Sequence, residues 1–158
     1  MSAYEAQKRG KRIAMSAAEV NEYLASELTC RVATIKASGF PHVTPLWFLW
    51  HNSELWLTTL TQSQRWTDLQ REPRVSVVVD SGDGYMELCG VELSGRVEMV
   101  GEVPRVGDAH PELDEIERLN ALKYQGPTGV VRHDGRHAWV RLRPDRIVSW
   151  DFRKLKPS

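Results

Sequence analysis

The alternation of apolar and polar residues predicts a chain built mainly from β-strands. Short runs rich in Val, Leu, Thr and aromatic residues are separated by turns that contain Gly, Asn or Ser. Residues 85–101 are long enough for two strands or one bent strand, and Gly90 and Gly95 stand where strands often bend or bulge. The predicted strands are 30–36, 42–51, 54–59, 74–80, 85–101, 136–143 and 146–151.

Three segments have helical patterns between these strands. Ser16 and Glu19 have the spacing of a capping box, which predicts a helix that continues to about residue 28. A short helix is predicted at 62–70 and a longer one at 108–124. The longer helix has one apolar face, formed by Leu113, Ile116, Leu119 and Leu122. Because strands dominate and tight turns join them, an antiparallel barrel with peripheral helices is the most economical fold.

Composition and charge narrow the classes of protein. With 158 residues, 41% of them hydrophobic, the chain fits one domain. We expect a flexible basic arm at 1–15 and a single domain at 16–158. Basic and acidic residues number 21 each, so no overall charge attracts nucleic acid or an anionic membrane. Without a signal segment or a membrane-spanning apolar run, a cytoplasmic protein is expected.

The segment after the predicted strand 54–59 suits an anion. The strand ends in Thr58 and Thr59, and a polar stretch with Thr61 and Ser63 leads into a helix with Arg65 in its first turn. Helix starts leave backbone N–H groups unpaired, and arginine adds charge-assisted hydrogen bonds, so a phosphate is a natural ligand. The alternative is an ordinary connection in which the Thr and Ser residues cap the helix.

Taken together, four segments resemble a known family. They are ATIKASGFPHVTPLWFLW, TTLTQSQRWTDLQREPRVSVVVD, GYMELCGVELSGRVEMV and RPDRIVSWDFRKL. In order and spacing they resemble the split β-barrel oxidoreductases that bind flavins or deazaflavins and are related to pyridoxamine 5′-phosphate oxidase. The resemblance covers most of residues 17–154. It is greatest to the actinobacterial branch that uses the deazaflavin coenzyme F420, and flavin mononucleotide (FMN) is the alternative cofactor.

The resemblance implies an FMN-binding-like split barrel that forms a homodimer, with the cofactor in a groove between the two subunits. The implied activity is hydride transfer from reduced F420 to a small conjugated organic substrate, in which the cofactor supplies the chemistry. An FMN-dependent oxidase or reductase of the pyridoxamine phosphate oxidase type is one alternative. A carrier that binds a cofactor or haem without turnover is another, and a dimer with a vestigial site is a third.

The resemblance also assigns residues to the cofactor site. It implies that the backbone of the second predicted strand lies against the ring and that the segment after 54–59 binds the phosphate. Among the aromatic residues near this groove, two tryptophans are candidates for ring contacts. Pro45 cannot donate a ladder hydrogen bond, which suits a ligand position, a bulge or an edge strand. No catalytic side chain is assigned. The implied cofactor-binding residues are Val43, Thr44, Pro45, Leu46, Trp47, Thr58, Thr59, Ser63, Gln64, Arg65 and Trp66.

The chain departs from the family at two positions. The family frequently has Lys in place of Arg65, and arginine preserves the positive charge and the capacity for two-point phosphate binding. Members of this branch often have a basic residue in place of Cys89, so one possible contact to the cofactor is missing. Tyr85 and Lys154 are weaker candidates for closing the groove.

Other chemistries have less support in the sequence. His133 and His137 flank Asp134-Gly135, a pair that favours a turn, so no metal site is predicted. Cys30 and Cys89 lie in apolar runs and are expected to pack as small hydrophobes. The closing sequence RIVSWDFRKLKPS lacks the Arg-rich end typical of pyridoxamine phosphate oxidases, which disfavours that substrate.

Overall fold

The computed structural model describes residues 7–155 and confirms the mainly β class. Within those residues there are three α-helices and seven β-strands. The helices are α1 (Ala17–Ser26), α2 (Gln64–Arg71) and α3 (Pro111–Gln125). The strands are β1 (Thr29–Ile35), β2 (Pro41–Trp47), β3 (Leu49–His51), β4 (Glu54–Leu60), β5 (Arg74–Ser81), β6 (Cys89–Val100) and β7 (His137–Asp151).

All seven strands form one antiparallel sheet in the order β2-β1-β5-β6-β7-β4-β3. The sheet curls around an apolar core, and its terminal strands β2 and β3 do not pair with each other, so the structure is a split β-barrel. A smaller cluster lies between α3 and the outer face of β4 and β7. The main core includes Leu24, Val32, Leu55, Leu57, Leu69, Val77, Val91, Leu93 and Leu142.

The predicted strand 42–51 is wrong in one respect, because it is divided at Phe48 into β2 and β3. The Phe48 N–H donates to the Tyr124 hydroxyl at 2.9 Å, and the Phe48 carbonyl accepts from that hydroxyl at 2.7 Å and from Lys123 Nζ at 3.1 Å. These groups at the end of α3 replace the ladder partners of Phe48. The break is therefore caused by a tertiary contact with no local signal.

In β6 the structure has one of the two predicted alternatives, and in β7 it corrects the prediction. The stretch 85–101 forms one strand after a single 3-10 turn, and a register shift between Ser94 and Gly95 confirms the irregularity predicted near Gly95. The predicted strands 136–143 and 146–151 are one continuous strand. Pro144 lies opposite Gly95 at the register shift, which lets β7 continue through a residue that has no N–H.

Helix boundaries follow their capping residues. Both hydrogen bonds of the predicted capping box are present at the start of α1. The Ser16 N–H donates to the Glu19 carboxylate, and the Glu19 N–H donates to the Ser16 hydroxyl. The helix α3 begins later than predicted because His110 is its N-cap, with Pro111 at the first helical position. Leu122 was predicted on the inner face of this helix but is 45% exposed.

Residues 7–15 lie against the second half of β7. The side-chain amide of Gln7 donates from Nε2 to the Ser149 carbonyl at 3.1 Å and accepts at Oε1 from the Ser149 N–H at 2.9 Å. It thus occupies the backbone groups that a neighbouring strand would pair with. The Asp151 N–H donates to the Ile13 carbonyl at 2.7 Å. Beyond residue 142 β7 has no partner on the β4 side, so this segment covers an open strand edge. Residues 1–6 of the predicted arm lie outside the described residues.

At Gly90 the backbone of β6 lies close to the Trp150 ring of β7, with no room for a side chain. A Cβ atom there would lie 2.3 Å from Cζ2 of Trp150 and 2.9 Å from the Val79 carbonyl oxygen. We expect Gly90→Ala to lower the free energy of unfolding by about 1–3 kcal/mol, because the indole ring is rigid and cannot move without repacking. Urea denaturation measures this cost. The cost should shrink in a Trp150→Ala background, and an equal cost in both backgrounds would contradict the explanation.

Candidate functional site

A buried arginine lies where the barrel is split. Arg65, in the first turn of α2, is 8% exposed. Its Nε donates to Oγ1 of Thr59 at 3.3 Å, and its Nη1 donates to Oγ1 of Thr44 at 2.5 Å. Thr44 belongs to β2 at one end of the sheet, and Thr59 belongs to β4 near the other end. The guanidinium therefore bridges the gap between the two halves of the split.

The charge of Arg65 has no counterpart in the described part of the chain. No carboxylate of residues 7–155 lies within 4.0 Å of its nitrogen atoms, and both of its hydrogen-bond acceptors are neutral hydroxyls. Burial lowers the pKa of Arg65, yet a guanidinium remains protonated in proteins. Of its five N–H groups, the three that do not donate to Thr44 or Thr59 are available. A buried, unpaired cation is costly, and an anionic ligand would offset that cost.

The neighbouring threonines of β4 face opposite sides of the sheet. Thr59 points into the barrel and reaches Arg65, whereas Thr58 lines a cavity of about 330 Å³ beneath α3, together with Asn120 and Trp139. Successive side chains of a strand alternate in this way. An anion bound at Arg65 would therefore lie on the side of the sheet that Thr59 faces and not on the side that Thr58 faces.

The remaining polar side chains of the predicted phosphate segment serve local structure. Ser63 is the N-cap of α2, with its Oγ accepting from the Trp66 N–H at 3.2 Å. Thr61 donates to the Arg136 carbonyl at 3.0 Å, and Gln64 donates to Oδ1 of Asp68 at 2.7 Å. The capping alternative thus describes Ser63, while Arg65 remains the anion-binding candidate.

The open edge of β2 presents one backbone donor between two prolines. The Lys36 N–H donates to the Phe40 carbonyl, so these two residues form a hydrogen-bonded pair next to the β1–β2 ladder. Hydrogen-bonded and non-hydrogen-bonded pairs alternate along an antiparallel ladder. The backbone groups of Pro41, Val43 and Pro45 therefore point away from β1. Proline has no N–H. Between residues 41 and 45, Val43 is therefore the residue whose N–H and carbonyl both face the open edge. Pro45 lies on an edge strand, which was one of its predicted settings.

The side chains of β2 divide between the two faces of the sheet. Thr44 and Leu46 point inward, where Thr44 contacts Arg65 and Leu46 packs on the core. Val43 and Trp47 point outward and are 62% and 59% exposed. The Trp47 ring stacks on the Tyr124 ring, with centroids 4.3 Å apart and planes at 6°. Its orientation is therefore fixed, while much of its surface stays open to a planar ligand.

The second tryptophan and the two weaker candidates are placed differently. Trp66 is 3% exposed inside the barrel core, which leaves its ring without the open face that cofactor stacking requires. Tyr85 is exposed and meets Phe152 edge to face at 5.1 Å. Lys154 donates to the Ala14 carbonyl at 2.9 Å and to Glu19 at 2.7 Å, so its ammonium is occupied at the α1 side of the barrel.

A basic residue does stand beside Cys89, although it comes from elsewhere in the chain. Arg153 Nη2 donates to Cys89 Sγ at 3.5 Å, and the same guanidinium forms a two-point contact with Asp151. Burial raises the pKa of the Cys89 thiol. Sequence reasoning noted the missing basic residue at position 89 but not its spatial neighbour. The two residues are 64 positions apart, and no local pattern relates them.

His133, in the loop 126–136, and His137, at the start of β7, contact separate carboxylates. His133 Nε2 lies 3.0 Å from Oε2 of Glu117, and His137 Nδ1 lies 2.8 Å from Oδ2 of Asp134. Glu117 also accepts from Nε of Arg105 at 2.8 Å and from Nε1 of Trp139 at 3.0 Å. Burial opposes the charge of Glu117, but these hydrogen bonds outweigh burial and lower its pKa. This network supports the wall of the cavity that Thr58 lines.

The fold is a split barrel, and the buried Arg65 makes its opening a candidate site for an anion. The model of the family described as pyridoxamine 5′-phosphate oxidase matches residues 16–151, and the chain belongs to this family. The structure confirms the predicted split-barrel relationship. A comparison with curated proteins finds no match. No helix within residues 7–155 has both the length and the apolar character needed to cross a membrane.

Several solved structures are similar to this chain. A conserved hypothetical protein from Mycobacterium tuberculosis is 34% identical, with a TM-score of 0.82 over 96% of this chain and 95% of that chain. A structure described as an F420 reductase is 22% identical, with a TM-score of 0.62 over 80% of this chain and 94% of that one. A flavin adenine dinucleotide (FAD)-binding protein from Mesorhizobium loti is 20% identical, with a TM-score of 0.65 over 86% and 93%. The last two share the fold.

Proposed function

We propose that this protein is an oxidoreductase that transfers a hydride from reduced F420 to a small conjugated organic substrate, with FMN as the alternative cofactor. The observation that carries the proposal is the Arg65 guanidinium, which is buried without a carboxylate partner among residues 7–155. Both cofactors carry a phosphate group. Membership of the family supports a flavin-type cofactor, and the F420 reductase among the structural neighbours supports the deazaflavin.

Three groups of this chain fit the parts of such a cofactor. Arg65 provides charged donors for the phosphate, with Thr59 and Thr44 holding the guanidinium in place. Val43 offers a backbone N–H and a carbonyl at the open edge for polar atoms of a ring. Trp47 offers a flat apolar surface held by Tyr124. When bound, the cofactor supplies the hydride, while the protein binds and orients it and excludes water.

The proposal is tested by binding purified protein to F420 and, separately, to FMN, following the fluorescence of each chromophore. We expect tighter binding of F420. Tighter binding of FMN would identify FMN as the cofactor and favour oxidase or flavin-reductase chemistry. Binding of neither cofactor would overturn the proposal. Turnover is then tested with quinone and enone acceptors. Binding of reduced F420 without oxidation by any of them would indicate a carrier and contradict the enzymatic part.

The outer face of β2 is proposed to be the contact with a second copy of the chain. Three large apolar side chains are exposed there and in the preceding turn: Phe40, Val43 and Trp47, at 72%, 62% and 59%. Neighbouring exposed apolar side chains often mark an interface. A two-fold homodimer would cover them and would complete a groove along the open edge of β2.

We expect the protein to be a dimer at micromolar concentration in light scattering. Val43→Glu should shift it to monomer, because a charge in the centre of the contact would lose its water. Leu122→Glu is the matched control, since Leu122 is 45% exposed on α3 and lies outside this face. A monomeric wild-type protein, or a dimer that Val43→Glu leaves intact, would contradict this interface.

A further inference from the structure

We propose that His42 is the proton donor of the reductase, with Thr34 and Asp68 as the residues that position it. The inference rests on the proposed function, because it assigns a residue to the same site. His42 lies on β2 directly opposite Thr34 of β1, and Asp68 reaches both from α2. Sequence reasoning identified none of these three residues, which come together through sheet pairing and helix packing.

The three side chains form a short chain of polar contacts. The Thr34 hydroxyl donates to Oδ2 of Asp68 at 2.7 Å, and Oγ1 of Thr34 lies 3.5 Å from Nδ1 of His42. The same imidazole nitrogen lies 3.6 Å from Oδ2 of Asp68. Thr34 and Asp68 are each 1% exposed. Asp68 also accepts from Gln64 Nε2 at 2.7 Å, so the carboxylate is fixed from two sides.

The contacts determine which nitrogen of His42 carries a proton in the neutral ring. Thr34 has one hydroxyl hydrogen and gives it to Asp68, so its oxygen offers lone pairs alone to His42. Nδ1 must then be the donor, and the neutral imidazole is the Nδ1–H tautomer. Nε2 has no hydrogen-bond partner in the described chain, and the side chain is 23% exposed. Protonated His42 therefore directs an available Nε2–H away from the Thr34–Asp68 pair.

The position of His42 relates it to the anion site. His42 and Thr44 are two residues apart on the inward face of β2, which places their Cα atoms about 7 Å apart. Thr44 binds Arg65, while Asp68 is one helical turn after Arg65 on α2. The anion site and the histidine are thus built on the same strand and helix. A cofactor anchored by Arg65 along β2 would have its substrate within reach of this strand.

The chemistry requires a proton as well as a hydride. Hydride addition to the electron-poor carbon of a conjugated carbonyl moves an electron pair onto the carbonyl oxygen and leaves an enolate. The Nε2–H bond of the His42 imidazolium breaks as the enolate takes that proton, and a proton from solvent restores the imidazolium. The substrate gains one hydride, which carries two electrons, and one proton, and the reduced cofactor would supply those two electrons with the hydride. The substrate class is therefore an enone or a quinone.

Nitrogen NMR of histidine-labelled protein tests the geometry without cofactor. We expect the neutral His42 ring to be the Nδ1–H tautomer, and we expect Thr34→Val and Asp68→Asn to shift it toward the Nε2–H form. His133 and His137 have other carboxylate partners and should keep their signals. An Nε2–H tautomer in the wild type, or no change in either variant, would overturn the assignment. The two variants are independent, so failure of one to fold leaves the test intact.

Kinetics then separates this inference from the proposed function. His42→Gln should lower kcat by about 100-fold or more, the usual contribution of general acid catalysis, while F420 affinity stays within about threefold. His51→Gln is the control, since His51 lies on β3 outside the cluster. Turnover that survives His42→Gln would reject His42 as the donor and leave the reductase intact. Absence of F420 and FMN binding in the wild type would instead reject the function on which this inference rests.

Discussion

Replacing Arg65 by glutamine should weaken binding of the phosphate-bearing cofactor by about 30- to 1000-fold, which corresponds to about 2–4 kcal/mol lost with a buried charged partner. The guanidinium is 8% exposed and donates to two neutral hydroxyls, so its remaining N–H groups have no competing carboxylate among residues 7–155. The measurement is a fluorescence titration with F420 or FMN. Arg65→Lys should retain part of the affinity, because it preserves the charge and loses the two-point geometry.

The same variant separates a binding role from a structural one. If Arg65 serves chiefly as ligand partner, Arg65→Gln should leave the unfolding free energy of the cofactor-free protein unchanged or raise it, because a buried cation without a counter-charge is unfavourable. If Arg65 serves chiefly to bridge β2 and β4, the substitution should destabilise the protein and leave affinity almost unchanged. Arg118→Gln, an exposed position on α3, is the control with the same change of charge.

Replacing Glu117 by leucine should lower the free energy of unfolding by about 3–5 kcal/mol, the usual cost of breaking a buried ion pair. Glu117 is 6% exposed and accepts hydrogen bonds from Arg105, His133 and Trp139. The substitution leaves His133 and Trp139 without this acceptor and removes one of the carboxylates that pair with Arg105, which keeps Glu102. Urea denaturation gives the difference. Glu115→Gln, on the same helix in an exposed pair with Arg118, should leave stability unchanged.

The pH dependence of stability provides a second readout for Glu117. Its pKa is lowered below the ordinary 4.5 in the folded protein, so its contribution is complete above the unfolded pKa and is lost as the pH falls through the folded one. The wild-type protein should therefore lose stability below about pH 4.5, and Glu117→Leu should lose less over the same range. Equal acid sensitivity in both proteins would show that other carboxylates carry the effect.

Local signals in the sequence determined the elements that depend on neighbouring residues. The Ser16 and Glu19 pair predicts the start of α1 because both capping partners lie within one turn. The turn after residue 36 predicts the β1–β2 hairpin, and Gly95 predicts an irregular position in β6. The family resemblance, carried by the order of four segments, predicted the split barrel that the structure confirms. Whether the assigned residues bind a cofactor remains a prediction.

The tertiary structure decided which polar residues meet. Arg65 contacts Thr44, 21 positions away, and Asp68 contacts Thr34, 34 positions away. It also placed Thr58 and Thr59 on opposite faces and divided the predicted strand 42–51 at Phe48 through Tyr124. Local patterns express the preferences of a few adjacent residues. Contacts across the split depend on how the whole sheet curls and pairs, because closing long loops brings together residues that no short window of sequence relates.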